Sequence, residues 1–237
     1  MYVARDVIPR RRGPVTYFCS PMSTRYTPRG PEAEFQPGSR GRVLRNLLGI
    51  RLVRDMTLAE SQALQLAQDQ AIERYTVDHR FTAEDICHLH RSWLGAIYSW
   101  AGQYRRVNMG KGGFQFATAA LIPNLMRELD QGPLAQFTPC TAQPDAEIAH
   151  ALAVVHAELV LIHPFRDGNG RLARLLAMLM ALQAGLPPLD FTPMSGRGKA
   201  RYIGGIHAAT GRDYRPLAAI FERIIGLTSK RAASSGR

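Results

Sequence analysis

The stretch His163-Pro164-Phe165-Arg166-Asp167-Gly168-Asn169-Gly170-Arg171-Leu172-Ala173-Arg174 joins two apolar helical runs. Upstream, Ile148, Leu152, Val155, Leu159 and Ile162 recur at helical spacing. Downstream, Leu172, Leu175, Leu176, Leu179 and Leu182 give a run that is apolar nearly all round. A helix without a polar face is a buried one. The downstream run is therefore expected to be the hub of the fold, with the stretch held rigidly at its N-terminus.

Each group in the stretch has a chemical reading and a plain one. The first N–H groups of a helix lack internal partners and carry partial positive charge. Gly168-Asn169-Gly170 thus reads as an anion cradle or as an ordinary turn. It is not a Walker loop, because the GxxxxGK[ST] pattern and a preceding strand are missing. Arg171 and Arg174 sit one turn apart and oppose the helix dipole unless an anion joins them. Phosphate would be that anion; salt bridges to Glu158 or Asp167 are the alternative. Asp167 reads as a Mg2+ ligand beside phosphates or as a helix cap. His163 reads as a general base or as a histidine on a helix C-terminus. Phe165 reads as a core anchor beneath the loop.

Working outward, Thr82 is an N-cap with Glu84 and Asp85 in the first turn, and Ile86, Leu89, Trp93, Leu94 and Ile97 form the stripe behind it. Trp93 and Trp100 are expected as core anchors. His88, His90, His150 and His156 lack the spacing of a metal pair and read as core or surface residues. Thr57 and Glu60 suggest a capping box opening a helix to about Tyr75, with Leu58, Leu64, Ala67, Ala71 and Ile72 buried. Over 104–117 the pattern becomes a β-hairpin with Gly110-Lys111-Gly112-Gly113 at its turn. Thr118 opens a helix ending at Gly132-Pro133, and helices near 197–209 and 216–227 close the chain. Residues 1–40 are dense in Pro, Gly and Arg and read as an irregular arm; residues 228–237 read as a polar, frayed tail. The sum is an all-α bundle around one central helix, with a single small hairpin and one domain over 41–227.

The 237 residues carry a net charge of +11 and three scattered cysteines, Cys19, Cys87 and Cys140. No CxxC pair supports zinc or a disulfide framework. No apolar run approaches the roughly 20 residues of a membrane span, and the N-terminus lacks a signal-peptide core. A cytoplasmic protein without membrane contact is expected. The positive charge suits polyphosphate, RNA or an acidic protein. With no recognised nucleic-acid signature and no single basic block, nucleic acid is not the expected partner.

Taken together, the central residues resemble the Fic motif, HxFx[DE]GNGRxxR. His163, Phe165, Asp167, Gly168, Asn169, Gly170, Arg171 and Arg174 fill each of its fixed positions. The resemblance runs over about residues 40–227 and takes in Arg40–Ile50 and the hairpin. It implies a Fic-type helical bundle and a stand-alone protein adenylyltransferase of the Fic/Doc family. Such an enzyme moves AMP from ATP to a Tyr, Thr or Ser hydroxyl of a target protein with Mg2+, releasing pyrophosphate.

By that resemblance His163 would be the base and Asp167 the Mg2+ ligand. Phe165, Gly168, Asn169, Gly170, Arg171 and Arg174 would form the nucleotide site, with further contacts from Lys111, Gly112, Arg201 and Tyr202. Met109, Gly110, Gly113 and Phe114 would belong to a flap that positions the target by strand addition. Members with a built-in inhibitor carry [ST]xxxE[GN], yet no glutamate here is followed by Gly or Asn. A small antitoxin-like partner acting in trans, with a glutamate on Arg174, is therefore expected. Another Fic-fold transfer (a kinase or another nucleotidyl donor) and a catalytically silent interaction module are the alternatives. Target identity and homo-oligomer formation are left open.

Overall fold

Helices that lack a polar face must be covered from every side, and that requirement organises the molecule. The computed structural model describes residues 31–235; residues 1–30 of the expected arm, with Cys19, lie outside the described residues. In chain order the described elements are α1 (Val53–Arg74), α2 (Ala83–Leu94), β1 (Gly110–Lys111), β2 (Phe114–Gln115), α3 (Ile122–Leu129), α4 (Ala135–Phe137), α5 (Asp145–Ile162), α6 (Asn169–Gln183), α7 (Lys199–Ala209) and α8 (Arg215–Ser235). α5 and α6 pack on each other; α3, α7 and α8 cover α5, while α1 and α2 cover α6. Ile148, Leu152, Val155, Leu159, Leu172, Leu176 and Leu179 are all buried between them. Each such side chain stabilises by about 1.5–3 kcal/mol relative to exposure. The expected hub helix is thus one half of a hub pair, and the central stretch is the corner joining its two members.

α2 starts as expected. Thr82 caps the Asp85 N–H, and the Asp85 carboxylate returns to the Thr82 N–H at 3.0 Å. Trp93 and Trp100 are buried. The hairpin is shorter than expected, pairing only Gly110 with Gln115 and Lys111 with Phe114. Gly112 and Gly113 both have positive φ (59° and 84°), the geometry a two-residue turn of matching twist requires.

Three expectations fail, each for a local reason. α1 opens four residues before Thr57, whose hydroxyl bonds back to the Val53 carbonyl at 2.9 Å inside the helix. Its buried stripe is Met56, Glu60, Ala67 and Ala71, while Leu58 and Ile72 are exposed. The helix expected to stop at Gly132-Pro133 passes through a π-turn, Asp130–Leu134, which absorbs Pro133, and continues into α4. The expected tail is helical to Ser235, because Thr228 is buried and accepts a bond from the Asp190 N–H at 3.1 Å. Among the described residues no helix is long and apolar enough to cross a membrane.

Candidate active site

α5 ends at His163 in the left-handed region (φ 52°, ψ 58°), where a non-glycine residue persists only if its surroundings hold it. Arg105 does the holding. It is 2% exposed, and its guanidinium donates to the carbonyls of His163 (2.7 Å), Val107 (2.6 Å) and Ala117 (2.6 Å). Val107 and Ala117 flank the hairpin, so one buried cation ties both its ends to the corner. Burial pushes the Arg105 pKa down. Glu32 buttresses the outside: its carboxylate accepts the Arg106 N–H at 3.0 Å and its carbonyl accepts Arg166 Nε at 2.6 Å.

Beneath the corner, Phe165 is fully buried and stacks on His90 with centroids 3.9 Å apart. His90 Nδ1 accepts the Gly102 N–H at 2.8 Å, so its Nε2–H faces the Asp167 carbonyl at 3.1 Å. The Asn169 amide spans the loop, donating to the Phe165 carbonyl (2.8 Å) and accepting its N–H (2.9 Å). Phe165 and Asn169, counted with the nucleotide site from the motif, therefore spend their side chains inside the protein. Gly168 has φ 83°, and a Cβ there would come within 2.7 Å of the Trp93 ring. At Gly170 a Cβ would meet only Arg174 Nη1, at 3.9 Å, so nothing in the fold fills the space over this part of the cradle.

His163 Nδ1 lies 3.1 Å from the Val160 carbonyl, which accepts but cannot donate; the proton sits on Nδ1 and Nε2 keeps its lone pair. Phe116 stacks on the imidazole at 3.7 Å. Burial, then the positive charges of Arg105 and Lys111, bring its pKa down to about 4. The imidazole is therefore neutral at pH 7.

The two motif arginines part company. Arg171 donates to Glu60 Oε2 at 2.6 Å, approaches Asp167 Oδ1 at 3.7 Å and lies 4.6 Å over the Trp93 ring. Glu60, 6% exposed, also accepts Tyr98 OH at 2.7 Å, and its carbonyl accepts Trp93 Nε1 at 2.8 Å. Arg174 has no ion-pair partner among the described residues. Burial pushes its pKa down, and the neutral Tyr202 phenol lies within electrostatic reach.

The flap reaches the corner through Phe116 and reaches α7 through Phe114, which stacks on His207 at 5.0 Å. Met109 accepts the Phe116 N–H at 3.1 Å, and Lys111, Gly112 and Gly113 form the exposed tip. Tyr202 OH meets His156 Nε2 at 2.9 Å beside Arg174. Arg201 is not brought to the loop; it lines a separate cavity with Arg197 and Arg223. Glu60, His90, Arg105, Phe116, His156 and His207 are not assigned to the site from sequence; Glu60 reads there as half of a capping box, and His90 and His156 as core or surface residues. A lone glutamate in a helical stripe and an arginine before a hairpin were the only signals available.

Asp167 has a half-exposed side chain, and its Oδ1 accepts the Gly168 N–H at 2.6 Å. Among the described residues no group of three His, Cys, Asp or Glu could enclose a metal. The site fits a hard cation only where phosphates and water complete its shell.

Comparisons with known proteins agree with this layout. Residues 80–181 match the Fic/DOC family. Over 139 residues the chain is 34% identical to the protein adenylyltransferase fic-1 of Caenorhabditis briggsae, covering 58% of this chain and 26% of that protein. It is 29% identical over 137 residues to a probable protein adenylyltransferase, y4lH, of Sinorhizobium fredii, covering 58% and 69%. The chain thus spans about a quarter of the length of its Caenorhabditis relatives. The crystal structure of the BepC effector of Bartonella tribocorum with bound AMPPNP superposes with a TM-score of 0.64 at 23% identity, over 77% of this chain and 92% of that one. The motif corner and the flap both fall inside the matched span, and residues 80–181 form a domain of the Fic/DOC family.

Proposed function

We propose that the chain is a protein adenylyltransferase, transferring AMP from ATP to a Tyr, Thr or Ser hydroxyl of a target protein. The observation that carries this reading is a neutral His163, its Nε2 lone pair free, beside a helix N-terminus and an unpaired Arg174. Nε2 takes the hydroxyl proton, a contribution of typically 10²–10⁴ in rate. The hydroxyl oxygen bonds to the α-phosphorus, and the bond from that phosphorus to the bridging oxygen breaks, releasing pyrophosphate. The N–H groups of Asn169, Gly170 and Arg171 precede the first intrahelical bond, made by Leu172 to the Gly168 carbonyl at 2.9 Å. They face the phosphates with the helix dipole behind them. Arg174 neutralises the leaving pyrophosphate, while Arg171, held by Glu60, keeps the first turn of α6 in place.

Asp167 would hold Mg2+, which supplies charge neutralisation across the phosphates when bound. Lys111, Gly112 and Tyr202 line the nucleotide side, and Met109, Gly110, Gly113 and Phe114 present the edge on which a target segment adds as a strand. A carboxylate from a small antitoxin-like partner would pair with Arg174 and displace the phosphates. A compartment that supplies both ATP and protein targets, such as the cytoplasm, suits this activity.

The test uses Mg2+ and ATP labelled on either the α- or the γ-phosphate, with a cell lysate as the source of targets. Transfer of α-label that disappears in His163→Ala is the expected result. Transfer of γ-label alone would make the protein a kinase, and transfer of neither would make it a silent interaction module.

A further inference from the structure

After α6 the chain makes two 3-10 turns, Thr192–Met194 and Gly196–Gly198, before entering α7. These turns, the first turn of α7 and one face of α8 enclose a cavity of about 680 Å3. Its apolar lining, or floor, is the buried Ile220, the half-buried Pro193 and the exposed Leu227. Its rim is basic: Arg197 and Arg201 stand on one wall and Arg223 on the other. All three arginines are exposed, and none has an ion-pair partner among the described residues. The rim carboxylate, Asp190, is already engaged by Arg231 and by the Thr192 N–H at 2.9 Å. Like charges around one opening repel, and an anionic guest relieves them. The volume lies within the usual range of ligand sites, about 300–1,000 Å3.

A phosphate chain would satisfy the rim but leave the floor without a partner. A peptide with carboxylates on either side of an apolar residue satisfies both, which is how charged rims and apolar centres divide the work in protein interfaces. We propose that this cavity docks an acidic segment of the target protein. An apolar side chain enters between Ile220 and Leu227, and the flanking carboxylates pair with Arg197, Arg201 and Arg223. The assignment of the guest as a target rests on the adenylyltransferase reading. Strand addition at the flap reads backbone and not side chains, so a second surface is needed to choose among targets. α7 connects the two: His207, under the flap, is six residues from Arg201, about 9 Å along the helix.

Fluorescence polarisation tests this with a short labelled peptide in which leucines alternate with pairs of glutamates, in the absence of nucleotide. Binding that weakens at least about tenfold in Arg197→Glu/Arg223→Glu, and again when serines replace the leucines, is the expected result. Circular dichroism checks the fold of the variant, both of whose changes are at exposed positions. No binding to the wild-type protein overturns the proposal, as does equal binding of the serine peptide. Polyuridylate binding that the double variant abolishes would overturn it too, by assigning the cavity to nucleic acid. Calorimetry with Mg2+-ATP on the wild-type protein keeps the two readings apart. Nucleotide binding with no peptide binding removes the docking site alone; peptide binding without α-label transfer removes the enzymatic reading alone.

Discussion

Arg171 and Arg174 lie one turn apart on the same helix, and the fold treats them in opposite ways. The side facing α1 and α2 supplies Arg171 with a carboxylate, an aromatic face and a tyrosine that fixes the carboxylate in turn. The side facing α5 and α7 gives Arg174 burial and the neutral hydroxyl of Tyr202. A half-buried cation without an anion is costly, and a phosphate that arrives there meets a charge already desolvated and positioned. A motif thus records which residues are needed without saying which of them the protein has already satisfied.

The largest effect should therefore come from the unpaired arginine. Arg174→Ala is expected to lower kcat for α-label transfer by about 100–1,000-fold, the range for losing one preorganised charge-stabilising group. The melting temperature should hold steady, because no ion pair is broken. A loss below about tenfold, measured by initial rates at saturating ATP, would mean that Arg171 shares the task and the contrast is false.

Glu60→Gln tests the other side. It keeps the shape and an acceptor for Tyr98 but leaves Arg171 without its carboxylate. Breaking a buried pair by removing one partner costs about 3–5 kcal/mol, and the lower end suits Arg171 because its side chain is 29% exposed. Urea titration should show that loss, and Arg171→Met in the same chain should recover part of it, giving a coupling energy above about 1 kcal/mol. Transfer by the folded fraction should fall less than for Arg174→Ala.

How far the sequence reached follows the same division. The Thr82 cap and the placing of His163, Asp167 and Gly168–Gly170 at the corner between two helices were legible because each depends on neighbours within a few residues. The α1 stripe was misread because its central member is a glutamate: a search for apolar periodicity selects Leu58 and Ile72, which are exposed, and passes over Glu60. The partner that justifies burying Glu60 lies 111 positions away. Arg105 is the same case, since its acceptors at His163 and Ala117 meet only after α5 packs. Phe165, read as a core anchor and buried as such, and Asn169 show the converse, since the resemblance also counted both with the nucleotide. The motif marked them as important, and their importance turned out to lie in holding the loop.

Acid should expose both sides of α6 at once. Burial holds His90, on the α2 side, and His156, beside Arg174, at pKa values of about 4. In the unfolded chain both titrate near about 6.5. Between these values the unfolded state binds more protons, so stability is complete above about pH 6.5 and falls as pH drops toward 4. Each histidine removes up to about 1.4 kcal/mol per pH unit across that window. Urea midpoints between pH 7 and pH 4.5 should follow this slope, and His90→Asn should flatten it. In the same range His163 stays neutral down to about pH 5, so kcat/KM should remain level where an ordinary histidine base would already be failing.

The smallest effect expected is also the most direct measure of the contrast. Tyr202 is the nearest counterpart on the Arg174 side to what Glu60 is on the other, yet burial holds its phenol up at about 12, so it brings a neutral dipole and no charge. Tyr202→Phe removes one hydrogen bond, to His156, and should cost about 1 kcal/mol in urea titration, with kcat changed less than about threefold. His156 would be left buried with neither ring nitrogen bonded to a side chain, so the loss should shrink in Tyr202→Phe/His156→Leu, where both partners become apolar. If Tyr202→Phe instead destabilised as much as Glu60→Gln, the phenol would be serving as the anchor of Arg174, and the two arginines would be held alike after all.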